Sequence, residues 1–170
     1  SKRETIYNIP GGLWKSSDGG ETWTDLSAGQ NLAWYATSLS FHTQDEKTIY
    51  VTAGSPLGRW RQGGLYVTHD DGRSWTRILD DDLAVKTAGG LRSSENLMRF
   101  AMHPDDASLI YVGTSTHGLL YSRDGGNSWM AYAEFPATPV QRIAFDPKDH
   151  SRMIVTTFGS GVWEGPYLPD

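Results

Sequence analysis

Three short stretches set a hydroxyl two residues ahead of an acid: Ser16 and Asp18 in "SSDGGETW", Thr68 and Asp70 in "THDDGRSW", Ser122 and Asp124 in "SRDGGNSW". A hydroxyl beside a carboxylate can be a nucleophile with its base, or a local acid/base pair. Asp80, Asp81 and Asp82 run together and Glu95 follows, so carboxylates are also at hand for glycoside hydrolysis. That reaction needs two carboxyl groups about 5–5.5 Å or about 6.5–9.5 Å apart. Trp60 stands between Arg59 and Arg61. An indole offers an apolar plate to a sugar face, and guanidinium groups offer planar donors to hydroxyls or carboxylates. The five histidines do not recur at metal-ligand spacing, and no Ser-His-Asp motif, phosphate loop or dinucleotide fingerprint is present. Nothing in these motifs calls for a metal or a cofactor. His103 and His150 fall in turn sequences and read as surface residues.

The three acid-bearing stretches are copies of one another. Asp18, Asp70 and Asp124 are 52 and 54 residues apart, and each lies in the pattern Ser/Thr-x-Asp-x-Gly-x-x-Trp. A glycine stands six residues before each acid (Gly12, Gly64, Gly118), followed by an apolar pair. A fourth copy, "GVWEGP" from Gly161, keeps the glycine and the apolar pair but loses the Asp and the Trp. Upstream, "FHTQDEKTIYVT", "MHPDDASLIYVGT" and "FDPKDHSRMIVTT" share a second frame, each preceded by an alternating run: "ATSLSF", "LMRFAM", "VQRIAF". A full repeat therefore holds four strand-like runs, A to D, and four strands per unit of this length predict a β-propeller blade.

Every residue of the acid motif has a task in a tight C–D hairpin. The Asp accepts from backbone N–H groups of the turn, and the hydroxyl adds a local bond. The Gly takes a positive φ, and the Trp supplies a large apolar body. Asp18, Gly20 and Trp23, Asp70, Gly72 and Trp75, and Asp124, Gly126 and Trp129 are therefore read as architecture.

Composition agrees with an all-β chain. Seven Trp, eight Tyr, five Phe and 19 Gly fill 170 residues, with short apolar runs between turn residues. The net charge of −5 argues against nucleic acid as the main partner. With no cysteine there is no disulfide framework and no thiolate chemistry. No apolar run approaches a membrane span.

The motif resembles the Asp-box, or bacterial neuraminidase repeat. That repeat occurs in sialidases, xyloglucan-active glycoside hydrolases, sortilin-type receptors and a photosystem II assembly factor, all of them propellers. "GGLWKSSDGGETW" and "TTFGSGVWEGP" are most similar to the bacterial xyloglucanase-type and sialidase-like exported propellers. The resemblance covers nearly the whole chain. It implies a secreted or periplasmic setting, and a working face opposite the Asp boxes. The sialidase Phe/Tyr-Arg-Ile-Pro motif is absent, and no segment matches those that carry the catalytic Asp residues of the xyloglucanases.

Counting strands predicts blade fragments at 5–26 and 139–163 and full blades at 32–79 and 95–133, fourteen strands in all. The first blade lacks its A strand and the last its D strand. Such a ring is open, and open ends leave strand edges and apolar faces bare. The expectation is a larger propeller completed by a second chain or a second copy.

The longest loops, "AGSPLGRWRQG" and "DDDLAVKTAGGLRSSEN", belong to adjacent blades and to the face opposite the Asp motifs. Long loops on a rigid scaffold concentrate binding residues. Arg59, Trp60 and Arg61 are read as ligand contacts there. Trp34 and Tyr35 begin an A strand near the same mouth, where Trp34 serves either a ligand or inter-blade packing. Arg99 and Arg142 occupy equivalent A-strand positions, where Ser38 stands in the preceding blade; they suit either an anionic group or an inter-blade salt bridge. The reading reached is a glycan-recognising propeller segment related to glycoside hydrolases and not catalytic alone. The alternative is a non-catalytic module for protein binding or assembly.

Overall fold

In a computed structural model of the chain, residues 6–8, 12–28, 35–54, 63–89, 97–136 and 139–167 are described. Fourteen strands lie among them, in four antiparallel sheets. The first holds β1 (Ile6–Asn8), β2 (Trp14–Ser16) and β3 (Thr24–Asp25). The second runs β4 (Tyr35–Phe41), β5 (Ile49–Gly54), β6 (Gly64–Thr68) and β7 (Thr76–Asp80). After a helix, α1 (Asp81–Thr87), come β8 (Leu97–Met102), β9 (Ile110–Thr114), β10 (Leu119–Ser122) and β11 (Met130–Ala131). The fourth sheet is β12 (Val140–Phe145), β13 (Arg152–Thr157) and β14 (Val162–Pro166). Each sheet is ordered as its strands follow in the chain. The chain is an incomplete β-propeller, with strands divided three, four, four and three as expected from the repeat.

The alternating apolar residues of each blade face its neighbours, so the core lies between sheets. Leu13, Val51, Ala53 and Tyr66 join the first and second sheets. Tyr50, Leu65, Val67 and Leu79 meet Phe100, Ile110 and Val112 between the second and third. Tyr50 and Phe100 stack there with ring centroids 4.6 Å apart. Tyr111, Leu119 and Tyr121 meet Val140, Met153 and Val155 between the third and fourth. Among the innermost strands, β8 lies between β4 and β12 and neighbours both across the blade boundaries.

Three features were not anticipated. Each inner strand carries a register shift near its start, at Ala36/Ser38, Leu97/Arg99 and Val140/Arg142. The acidic run at 80–82, expected to lie in a long loop, instead opens α1. Asp80 is its N-cap, its carboxylate accepting from the Leu83 amide at 2.6 Å. His103, read as a surface residue, is buried. Its ring packs on Phe145 and Tyr167, and its Nδ1 accepts from the Asp105 amide at 3.2 Å. His150 is part-exposed and its Nδ1 meets Asp105 Oδ2 at 2.7 Å. The turn sequence around "HPDD" gave no sign that a fourth blade and the segment after β14 would close over His103.

Candidate functional site

The acid–hydroxyl pairs are fully engaged in turns. Ser16 Oγ donates to Asp18 Oδ1 at 2.6 Å and accepts from the Gly20 amide at 2.8 Å. The Thr22 amide and hydroxyl both donate to the Asp18 carboxylate. The second copy repeats this: Thr68 donates to Asp70 at 2.7 Å, and Ser74 donates its amide at 2.9 Å and its hydroxyl at 2.6 Å. In the third, Ser122 donates to Asp124 at 2.7 Å, while the Ser128 amide and hydroxyl donate at 2.8 and 2.6 Å.

These bonds stabilise the charged carboxylate and set its acidity. The Ser74 and Thr68 hydroxyls hold Asp70, and the Ser16 and Thr22 hydroxyls hold Asp18, well below the usual carboxylate range. Asp124 is lowered to about 2, chiefly by the Ser128 hydroxyl. Such a carboxylate is a weak base at neutral pH. The paired hydroxyl oxygen is already occupied by two amides, those of Asp18 and Gly20 in the first copy. This geometry suits a clasp and not a nucleophile.

Gly20, Gly72 and Gly126 take φ of 99°, 89° and 97°. The residue before each is left-handed too: Gly19, Asp71 and Gly125. Asp71 is the one non-glycine with positive φ among the described residues, and its carboxylate pairs with Lys15 of the preceding blade. The second and third of these turns are each latched to the A–B turn of their own blade. The Asp71 amide donates to the Lys47 carbonyl and the Gly125 amide to Ser108, both at 3.0 Å. In the fourth blade, which lacks the motif, the Tyr167 amide donates to the Ser151 carbonyl at 3.2 Å.

The motif tryptophans differ. Trp129 Nε1 donates to Gly126 O at 3.1 Å and to Ile78 O of the preceding blade at 3.2 Å. Trp23 Nε1 donates to Gly20 O, yet the ring is exposed, with no earlier blade among the described residues to cover it. Trp75 Nε1 is buried without a hydrogen-bond partner.

Strand register fixes which loops share a face. Phe41 pairs with Ile49, Ile49 with Thr68 and Val67 with Thr76, so the A–B and C–D turns lie at one end of the blade. Tyr35 pairs with Gly54, Ala53 with Gly64 and Gly64 with Asp80, at the other. The described residues flanking 55–62, Gly54 and Gly63, and those flanking 90–96, Gly89 and Leu97, therefore lie toward the end opposite the Asp turns, together with α1. Trp34, Arg59, Trp60, Arg61 and Glu95 lie outside the described residues, as does the side chain of Tyr35. On the same face, in the turn before β14, Phe158 is exposed and its amide donates to the Pro139 carbonyl at 2.9 Å.

Arg99 sits just inside this face. Its Nε donates to the Gln141 carbonyl at 2.6 Å and its Nη1 to the Thr37 carbonyl at 3.1 Å. Thr37 Oγ1 in turn donates to the Leu97 carbonyl at 2.8 Å. Arg99 thus joins three consecutive blades through backbone carbonyls. Arg142 is exposed. Among the described residues no three His, Asp, Glu or Cys side chains gather to hold a metal ion, and no helix is long and apolar enough to cross a membrane.

No protein-family model matches the chain. It is 35% identical over 182 residues to an oligoxyloglucan-reducing end-specific xyloglucanase of Emericella nidulans, which covers 86% of this chain. It is 27% identical over 153 residues to the xyloglucanase Xgh74A of Acetivibrio thermocellus, covering 85% of the chain. The chain spans 21% and 18% of the length of these relatives. Among solved structures it superposes on a GH74 enzyme of Niastella koreensis with TM-score 0.67 and 17% identity, over 96% of this chain and 25% of that one. It also superposes on YCF48 bound to a D1 peptide, with TM-score 0.55 and 13% identity, over 99% and 62%. Both structural likenesses are likenesses of fold.

Proposed function

We propose that this chain is a segment of a glycoside-hydrolase-related propeller that recognises a xyloglucan-type glycan on the face opposite its Asp turns. The observation that carries the reading is the similarity, along most of the chain, to two xyloglucanases. The fold adds a reason to look at that face: the Asp turns of the second and third blades are latched to their own A–B turns, whereas Phe158 is exposed at the other end. Trp60 is assigned the stacking plate, Arg59 and Arg61 the donors to sugar hydroxyls, and Trp34 and Tyr35 further contacts at the mouth. Arg99 and Arg142 border that mouth. Hydrolysis by this segment alone is not part of the proposal. A polysaccharide ligand fits a secreted or periplasmic setting.

The test is isothermal titration of the chain with xyloglucan oligosaccharides, beside Trp60→Ala with its circular dichroism as a control of fold. Binding by the parent and its loss in a folded Trp60→Ala support the reading. A folded chain that binds no such oligosaccharide overturns it. A second reading, a non-catalytic module for a peptide or protein, is favoured by the fold likeness to a propeller carrying a bound peptide. It predicts capture of a peptide ligand on the same face with no glycan binding.

A further inference from the structure

The turns that join second to third strands have one frame in the last two blades. In the third blade the Thr114 amide and hydroxyl both donate to the Gly118 carbonyl, at 2.9 and 3.0 Å. In the fourth the Thr157 amide and hydroxyl both donate to the Gly161 carbonyl, at 3.0 and 2.8 Å. Both closing glycines are left-handed, with φ of 77° and 74°. Thr114 pairs with Leu97 and Thr157 with Val140, so both turns stand at the end opposite the Asp turns. The same frame carries different contents: Ser115, Thr116 and His117 in the third blade, Phe158, Gly159 and Ser160 in the fourth. Phe158 is 74% exposed, more than any other large hydrophobic side chain among the described residues.

A single exposed apolar side chain is ordinary on a protein surface, but the setting of this one is not. Ser115 fills the same place in a turn closed by the same bonds, so the turn does not require a ring. Nor does a neighbouring sheet cover this place. The third blade has the fourth packed against it, and still Ser115 is part-exposed and Thr116 exposed. The backbone beneath the ring is fixed, with the Phe158 amide on the Pro139 carbonyl at 2.9 Å. A Cβ built on Gly159 or Gly161 would meet nothing within 4 Å, so the space beside both glycines is open. We propose that Phe158 is a sugar-stacking subsite on the fourth blade, its ring lying against the C–H face of one pyranose of a xyloglucan-type oligosaccharide. The subsite rests on the glycan reading and adds to it a contact remote in sequence from Trp60. One ring with hydroxyl side chains in its own and the neighbouring turn is too small an apolar surface for a protein interface, which buries about 800 Å² per partner. It matches a pyranose, apolar on its ring faces and polar at its rim. The turn is already held in place before binding, so little ordering is needed to present the ring.

Calorimetric titration with xyloglucan oligosaccharides of the parent, Trp60→Ala, Phe158→Ala, Phe158→Leu and Phe158→Trp tests this. Phe158→Ala is expected to weaken binding about three- to tenfold. Phe158→Leu, apolar but not flat, weakens it to a similar extent, and Phe158→Trp keeps or tightens it. All three Phe158 variants should melt within about 2 °C of the parent, since an exposed side chain contributes little to stability. The subsite is overturned if Phe158→Ala binds as the parent does while Trp60→Ala loses binding, and the glycan reading then stands without it. A parent that binds none of the oligosaccharides overturns the subsite and the glycan reading together. Full affinity in Phe158→Leu also overturns the subsite, because apolar bulk then suffices without a flat ring. So does a Phe158→Ala protein that melts far below the parent, because the ring then serves the fold.

Discussion

The guanidinium of Arg99 crosses a blade boundary to place Nε on the Gln141 carbonyl at 2.6 Å. Gln141 is the extra residue of the bulge in β12, and Thr37, whose carbonyl accepts from Arg99 Nη1, is the extra residue in β4. A bulge takes one residue out of its ladder, and one planar cation satisfies two of the carbonyls so released. Arg99→Ala is expected to cost about 2–3 kcal/mol, because two charge-assisted bonds are lost and their acceptors are left at a blade joint. Arg99→Lys, a point donor, recovers less than half of that. Urea unfolding at neutral pH checks this, as a shift in midpoint with unchanged slope. A change in Arg99→Ala under about 0.5 kcal/mol would put the residue among ordinary surface positions.

The Asp turns predict a pH dependence. Asp18, Asp70 and Asp124 have folded-state acidities below the ordinary carboxylate value, owing first to hydroxyl donors: Ser16, Ser74 and Ser128 respectively. A lowered folded value means stabilisation that is fully present above the unfolded value and lost as pH falls through the folded one. For Asp124 that window runs from about 4, the unfolded value, down to about 2; for the other two it extends lower. Asp124→Asn should melt a few degrees lower than the parent at pH 7 and show a shallower decline between pH 4 and 2. Parallel melting curves for parent and variant that stay a constant distance apart down to pH 2 would contradict the charged clasp.

Asp71 occupies a left-handed position, φ 62°, where its counterparts are Gly19 and Gly125. A side chain there costs about 1–2 kcal/mol, less for Asp than for most residues, and the part-buried pair with Lys15 returns about 1 kcal/mol or less. Asp71→Gly is therefore expected to change stability by less than about 0.5 kcal/mol. Gly125→Ala, which gains strain and no partner, should lose about 1 kcal/mol. Thermal unfolding of both variants and of Lys15→Ala, combined in a double-mutant cycle, separates the strain from the ion pair.

The features legible from sequence are those with a side-chain signature that repeats. The acid, the hydroxyl and the glycine recur at fixed spacing because each fills a required place in the same turn, and the strand order follows from that period. The inner-strand bulges were hidden because Thr37, Met98 and Gln141 share no chemistry. A bulge of this kind is a backbone event, and its carbonyl acceptors leave no mark on residue type. The burial of His103 was misjudged for the same reason, since its ring nitrogen meets a main-chain carbonyl, that of His150, in a blade far away in sequence. Helix α1 did carry a signal, an Asp followed by "LAVK" with a cation in the last turn, which was hidden by reading the whole stretch from Asp80 as one long loop.

Gly113 and Val140 meet where the third and fourth blades touch. A Cβ built on Gly113 would lie 2.4 Å from Val140 Cγ1, and Val140 is itself fully buried. The backbone at Gly113 is not left-handed, so the need for glycine there is one of space. Gly113→Ala should cost about 1–3 kcal/mol by overpacking, and Val140→Ala about 2 kcal/mol by opening a void. If space is the whole cause, the two changes compensate. The double variant should be at least about 1 kcal/mol more stable than the sum of the singles predicts. Urea unfolding of the four proteins supplies the cycle, and strict additivity would mean that Gly113 serves the β9 backbone and not the joint between blades.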